Sequence, residues 1–269
     1  ISTVSLSNMS AGLSSIFAIL LLLFLKPCVG QTTLTIAAAA DLSQLEPKLA
    51  DAFRKNEPIR VRFVTEASAM LAQQIENGAP YDIFLSANAA YIDRLASIRK
   101  IEPNSVITYA IGRVGVLWRD GKPHPLSDLA QNWVRFVALP NPRLAPYGVA
   151  AQQALEHARL WEFVRQKVVY GENVRQALQF FDSGNADAVL TSASLLQGRN
   201  PDLIPADWHQ PIVQKAGIVS GTKNLEAARK FLGFLTSPAG QAVFASFGFS
   251  ASPAAFRAAT ARESVSAER

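Results

Sequence analysis

The hydrophobic positions follow two alternating periods from residue 32 onward. Alternating apolar and polar residues, as in 59–65, predict strands, whereas apolar residues three or four apart, as in 42–53, predict helices. The predicted strands cover 32–39, 59–65, 82–86, 111–118, 134–139, 168–170, 188–190 and 217–220. The predicted helices cover 42–53, 71–75, 91–95, 149–155, 174–181, 225–235 and 239–245. Strands that alternate with helices favour an α/β fold of parallel βαβ units in two halves of similar build.

An uncharged apolar run, 16–25, precedes this pattern. It is shorter than the roughly 20 residues that cross a bilayer, and it is typical of a signal-peptide core. Cys28 and Gly30 are small residues that suit a cleavage site near Gln31. We therefore expect residues 1–30 to be the signal peptide of an exported protein. An uncleaved membrane anchor and a lipid on Cys28 are open alternatives, as is a translation start at Met9.

The composition excludes several classes of function. The chain has 269 residues, of which 49% are hydrophobic and 17% charged, as in globular proteins. The net charge of +5 comes from scattered basic residues, so we expect no nucleic-acid partner. After cleavage near Gln31 no cysteine remains, which excludes disulfides and thiol chemistry. The three histidines lack HExxH spacing and no GxSxG motif occurs, so we expect no metal, no catalytic residue and no enzyme.

Four loops follow predicted strands and precede predicted helices, namely 37–41, 65–69, 145–148 and 171–174. They are rich in small neutral residues, and the unpaired N–H groups of a first helical turn bind anions. For any one loop a merely capped helix is the preferred interpretation, with Asp41 and Asn173 as cap residues. Together, four converging helix starts would suit a tetrahedral dianion. Because each charge-assisted hydrogen bond returns only about 1.5–3 kcal/mol, six or more donors are needed.

Several longer motifs occur in a characteristic order. They are AAAADL (37–42), SAMLAQQIENGAPYDIFLSAN (68–88), NPRLAPYG (141–148), GENVRQAL (171–178), SGNADAVL (183–190) and TSPAGQAVFASFGF (236–249). In this order, along 34–249, the chain resembles the molybdate-binding proteins of bacterial ABC importers. The resemblance implies a two-lobed, periplasmic-binding-protein-like (type II) α/β fold with a hinged cleft. It implies molybdate or tungstate as the ligand, no metal or cofactor, a permease partner in the inner membrane, and a monomer.

The resemblance also implies a set of ligand-binding positions. They are Ala40 with Asp41 beside it, Ser68, Tyr147, Val174 through its backbone, and Ser192 where some relatives carry tyrosine. This chain departs from the family at some of them. Ala40 lacks the serine hydroxyl of many relatives, and Ala67-Ser68-Ala69 replaces a Ser-Ser-Gly run. Glu66 and Asp41 are acidic neighbours of a dianion, unless the Asp41 carboxylate caps the following helix.

The expected organisation is one lobe of 31–110 plus 216–252, a second lobe of 111–215, and a C-terminal tail of 253–269. The chain would cross between the lobes near Ile111 and near Lys215. Two rival functions stay open. The first is a binding protein for another small anion, such as sulfate, phosphate or an organic acid. The second is an exported enzyme that uses Ser68 and a histidine. The sequence leaves the preferred oxyanion and the identity of the permease open.

Overall fold

Two mixed β-sheets organise residues 32–251, which are the residues that the computed structural model describes. The predicted signal peptide with Cys28 and the predicted tail 253–269 lie outside these residues. The first sheet has the order β2-β1-β3-β10-β4, and the second has the order β7-β6-β8-β5-β9. The strands of the first sheet are β1 Thr33–Ala39, β2 Arg60–Glu66, β3 Ile83–Ser86, β4 Ile107–Gly112 and β10 Ile212–Ile218. The strands of the second sheet are β5 Val114–Trp118, β6 Val137–Pro140, β7 Val168–Gly171, β8 Ala188–Ser192 and β9 Asp202–Leu203.

The two sheets share one plan, which confirms the predicted two-lobed α/β fold. In the first sheet β1 is parallel to β2 and β3, while β10 is antiparallel to β3 and β4. In the second sheet β6 is parallel to β7 and β8, while β5 is antiparallel to β8. The parallel pairs bring the carboxyl ends of their strands to one edge, which is where α/β sheets bind ligands.

Eight α-helices cover the sheets in residues 32–251. They are α1 Glu46–Arg54, α2 Ser68–Glu76, α3 Ala89–Ser97, α4 Pro146–His157, α5 Trp161–Val164, α6 Val174–Asp182, α7 Leu225–Thr236 and α8 Pro238–Ser246. Leu42, Leu45 and Leu49 are fully buried, as their spacing predicts. The predicted helix 42–53 nevertheless begins late, because a 3-10 turn, Ala40–Leu42, precedes α1. Each helix in this part of the chain is too short or too polar to cross a membrane.

The predicted strand 111–118 is wrong, because it is two strands from different sheets. β4 ends at Gly112 and β5 begins at Val114, so the chain leaves the first sheet at Arg113. It returns after β9, and β10 is already paired with β4 at Ile212. Residues 212–215 therefore pair within the first sheet, and β10 begins well before the strand predicted at 217–220. Apolar patterning marks both β4 and β5 as buried strands, but it carries no signal for a change of sheet.

Each lobe has its own hydrophobic core. In the first sheet one face packs on α1, α7 and α8, and the other face packs on α2 and α3. The second sheet shares a single large cluster with α4 and α6. Ala39, Ala40 and Ala87 of the first lobe are part of that second cluster. The lobes are therefore in contact along the edge where the strands end.

Candidate functional site

A small cavity of about 10 Å³ lies where the predicted ligand loops meet. Its lining residues are Ala39, Ala40, Asp41, Ala67, Ser68, Ala87, Ala145, Pro146, Tyr147, Asn173 and Val174. The structure thus brings together five of the six predicted positions, and Ser192 is not among the lining residues. The 3-10 turn and the starts of α2, α4 and α6 all reach this cavity. Its volume corresponds to about one water molecule.

The start of α2 presents the hydroxyl of Ser68 to the cavity. Ala67 is the extended residue before the helix, and Ser68 is buried. The Ser68 Oγ accepts a hydrogen bond from the backbone N–H of Ala87 at 3.1 Å. Because a hydroxyl both accepts and donates, the proton of Ser68 is available to an anion in the cavity. The backbone N–H of Ala69 donates across the lobes to the carbonyl of Leu144 at 3.4 Å.

The start of α6 leaves one backbone donor without a partner. Asn173 caps the helix, as predicted, by accepting from the N–H groups of Arg175 and Gln176 at 3.0 and 3.1 Å. These bonds satisfy the backbone amides of the second and third helical residues. The amide of Val174, the first helical residue, receives no bond from Asn173. In the described part of the chain this N–H has no partner, and Val174 is buried against the cavity. The Val174 amide is therefore the clearest neutral donor for an anion at this site.

Glu66 lies at the end of β2, close to the same helix start. Its Oε1 accepts a hydrogen bond from the Asn173 Nδ2 at 3.1 Å. This contact joins the first lobe to the second. Glu66 is not among the residues that line the cavity. The acidic neighbour that the sequence flags therefore contributes to the contact between the lobes and does not fill the cavity.

Asp41 does not cap a helix, which corrects the expectation from the sequence. The 3-10 turn and α1 both begin without a side-chain cap. Asp41 Oδ2 instead accepts from the Tyr147 hydroxyl at 2.8 Å and from the Gln214 Nε2 at 2.7 Å. The Gln214 Oε1 accepts from the Tyr109 hydroxyl at 2.8 Å. A buried network thus joins the cavity to the two strands, β4 and β10, that lead the chain between the lobes.

This network changes the role predicted for Tyr147. Its hydroxyl proton is directed to Asp41, so it is not available to a ligand in this arrangement. The backbone amide of Tyr147, in the first turn of α4, remains a candidate donor. Ser192 contacts the Ser194 Oγ at 2.7 Å, and Ser194 donates to the Asp41 carbonyl at 2.6 Å. Ser192 therefore supports, through Ser194, the turn that carries Asp41 and is not among the residues that line the cavity.

Burial raises the pKa of Asp41 from 3.8 to about 6, against the opposing effect of the hydrogen bonds from Tyr147, from Gln214 and from the backbone amide of Asp41 itself. Burial and the neighbouring Asp41 charge hold the pKa of Tyr147 well above its ordinary value. The folded state binds the Asp41 proton more tightly than the unfolded state does. The Asp41 contribution to stability is therefore complete below about pH 4 and declines as the pH rises through about 6.

The histidines lie elsewhere in the fold. His124 contacts Asp120 and Asp128, and His157 stacks on Trp208 with ring centroids 5.0 Å apart. His209 lies against the carbonyl of Gln210. Among the described residues that line the cavity, none is a histidine. Within 32–251 no group of three or more His, Cys, Asp or Glu side chains is placed to hold a metal ion.

The fold and the cavity together define a class: a two-lobed solute-binding protein whose cleft offers uncharged donors. Comparison with known proteins agrees, because the family of bacterial extracellular solute-binding proteins matches residues 34–250. The chain belongs to this family.

Individual relatives cover most of the chain. The molybdate-binding protein ModA of Azotobacter vinelandii is 31% identical over 84% of this chain and 93% of its own length. The ModA of Haemophilus influenzae is 31% identical over 81% of this chain and 89% of its own length. The solved structure of the Azotobacter vinelandii periplasmic molybdate-binding protein superimposes with a TM-score of 0.74. The superimposed region covers 80% of this chain and 98% of the Azotobacter vinelandii protein.

Proposed function

We propose that this protein captures molybdate or tungstate in the cleft between its lobes and delivers the ion to the permease of an ABC transporter. In this proposal it is exported to the periplasm, its signal peptide is cleaved near Gln31, and it acts as a monomer. The relatives named as molybdate-binding proteins support this ligand class. The observation that carries the proposal is the convergence of the 3-10 turn, α2, α4 and α6 on one small cavity.

The chemistry of the cavity suits a tetrahedral oxyanion better than a cationic or an apolar solute. Ser68 offers a hydroxyl, and Val174 and Tyr147 offer first-turn amides that carry the positive end of a helix dipole. The alanines of the lining let an ion approach the backbone closely. An ion would enter with the lobes apart and be enclosed when they close, as in other hinged proteins.

Cavity size would distinguish tetrahedral dianions of equal charge. Sulfate has shorter bonds than molybdate, so fixed donors would not all reach its oxygens, and unpaired buried donors are costly. Another small anion is the second candidate, because Asp41 is an acidic group in the lining. The enzyme hypothesis finds little support, since Ser68 accepts from the Ala87 amide and has no histidine beside it in the lining.

A thermal-shift screen tests the ligand class. Saturating molybdate or tungstate, at about 100 times the dissociation constant, should stabilise the folded protein by about 2.7 kcal/mol. For a chain of this size that corresponds to a rise in Tm of roughly 5–10 °C. Sulfate and phosphate at the same concentration are the matched controls and should give much smaller shifts. A larger shift with sulfate or phosphate would contradict the proposed ligand.

A further inference from the structure

We propose that Asp41 contacts the anion as a carboxylic acid, with an Oδ1–H that donates to an oxygen of the ion. The site would then take up the anion together with one proton, which makes Asp41 a determinant of both affinity and specificity. This inference rests on the proposed function. It adds a donor and a dependence on pH that the uncharged loops do not supply.

The hydrogen bonds around Asp41 fix which of its oxygens can carry a proton. Oδ2 accepts from Tyr147 and from Gln214, so it is already used as an acceptor twice. The orientation of the Gln214 amide is set by the Tyr109 hydroxyl, which donates to Gln214 Oε1. The Gln214 Nε2 must therefore face Asp41 as a donor. With both acceptor positions of Oδ2 used in this arrangement, a proton on Asp41 would reside on Oδ1.

Oδ1 is the oxygen without a partner. It is buried and has no hydrogen bond to another described residue, although the backbone N–H of Asp41 itself lies close enough to the carboxyl group to lower its pKa. Asp41 lines the same cavity as Ser68 and Val174, whose free donors define the candidate site. As a carboxylate, Oδ1 would be an unsatisfied buried acceptor that repels a dianion. As a carboxylic acid, the same atom becomes one more donor toward the ion.

The surroundings of Asp41 hold no cation against its carboxyl group. The titratable groups that contact or approach it are the phenols of Tyr147 on α4 and Tyr109 on β4. The 3-10 turn packs on β2, on α6 and on the turn Ala193–Leu196. Glu66, at the end of β2, accepts a hydrogen bond from Asn173. Arg175, on α6, is exposed, and its charge acts to lower the pKa of Glu46. Burial raises the pKa of Asp41 to about 6, and an adjacent dianion would raise this pKa much further, so that Asp41 stays protonated in the complex above neutral pH.

The test is the dissociation constant of molybdate, measured by calorimetry on the wild-type protein from about pH 6 to 8.5. If a carboxyl group must be protonated for binding, the affinity falls tenfold for each pH unit above the pKa that this group has in the free protein. We therefore expect the dissociation constant to rise about tenfold between pH 7 and 8. Titrations in buffers of different ionisation enthalpy should show the uptake of about one proton per ion near pH 8. An affinity that is constant or rises with pH, or binding without proton uptake, would overturn the inference.

Asp41→Asn provides the matched variant. Its amide can donate to the ion while its carbonyl oxygen accepts from Tyr147 and Gln214, so it imitates the protonated acid. We expect it to bind molybdate with an affinity that does not change across this pH range. Glu66→Gln removes the other nearby carboxylate and should keep the wild-type slope. Loss of the slope in Glu66→Gln, or its persistence in Asp41→Asn, would overturn the role of Asp41.

The outcomes separate this inference from the proposed function. Binding of molybdate without a pH slope would leave the function standing and remove the role of Asp41. No binding of molybdate or tungstate by the wild type at any pH would refute the function and, with it, this inference. If Asp41→Asn fails to fold, the proton count on the wild-type protein still decides the question.

Discussion

Replacing Val174 by proline is expected to weaken molybdate binding about 30-fold while leaving the stability of the protein nearly unchanged. Proline removes the one amide of the α6 start that Asn173 leaves free. A hydrogen bond to a charged ligand contributes about 1.5–3 kcal/mol, and 1.4 kcal/mol corresponds to a factor of ten. Val174 is the first residue of its helix, where proline is well tolerated. Asn173 already has the extended backbone, φ −146° and ψ 178°, that a residue before proline requires.

Val174→Ala is the control for this substitution, because it shortens the side chain and keeps the amide. Its affinity for molybdate should stay close to that of the wild type. Calorimetry gives both dissociation constants, and thermal melting of the ligand-free proteins shows whether the fold is intact. An unchanged affinity in Val174→Pro, or an equal loss in Val174→Ala, would show that this amide does not bind the ion.

Replacing Gly148 by alanine is expected to destabilise the protein by about 3 kcal/mol. A methyl group there would collide with the carbonyl oxygen of Pro140 and lie 2.8 Å from the nitrogen of Pro142. Both contacts are with backbone, which cannot move aside as a flexible side chain can. Urea unfolding of the ligand-free protein measures the loss. Because Gly148 follows Tyr147 in the first turn of α4, a displaced turn should also weaken the binding of molybdate.

Gly233→Ala is the matched control in another helix. Gly233 is an exposed residue of α7, and a methyl group there would meet no atom within 4 Å. Alanine should therefore stabilise the protein by up to about 1 kcal/mol through its helix propensity. A Gly148→Ala protein as stable as the wild type would contradict the close packing of the α4 start on the loop before it.

The elements of the fold could be predicted from the sequence because burial is periodic. Leu42, Leu45, Leu49 and Phe53 are all buried, as their spacing predicts, and β1 and β2 lie within a residue or two of their predicted positions. The pattern failed where the chain changes sheets. Strands β4 and β5 are both apolar and only Arg113 separates them, so the sequence reads as one strand. Partner choice between strands depends on tertiary packing that local periodicity does not record.

The candidate site could be predicted in part for a similar reason. A small-residue loop between a strand and a helix marks a helix start, and the resemblance to a known family indicated which starts belong together. The network around Asp41 was missed. Gln214 lies inside a buried strand and Tyr109 inside another, and nothing in either segment signals a partner more than 100 residues away. Only the fold brings these side chains to the carboxyl group of Asp41.

The most direct test of this account is a crystal structure of the protein grown with tungstate, in which anomalous scattering locates the metal atom. We expect one strong peak enclosed by Ala40, Ser68, Tyr147 and Val174. Its oxygens should lie within about 3 Å of the Ser68 Oγ and the Val174 amide nitrogen. A tungsten peak outside this cleft, or a cleft that remains closed around Asp41 in saturating tungstate, would contradict the claim that neutral donors at converging helix starts bind the ion.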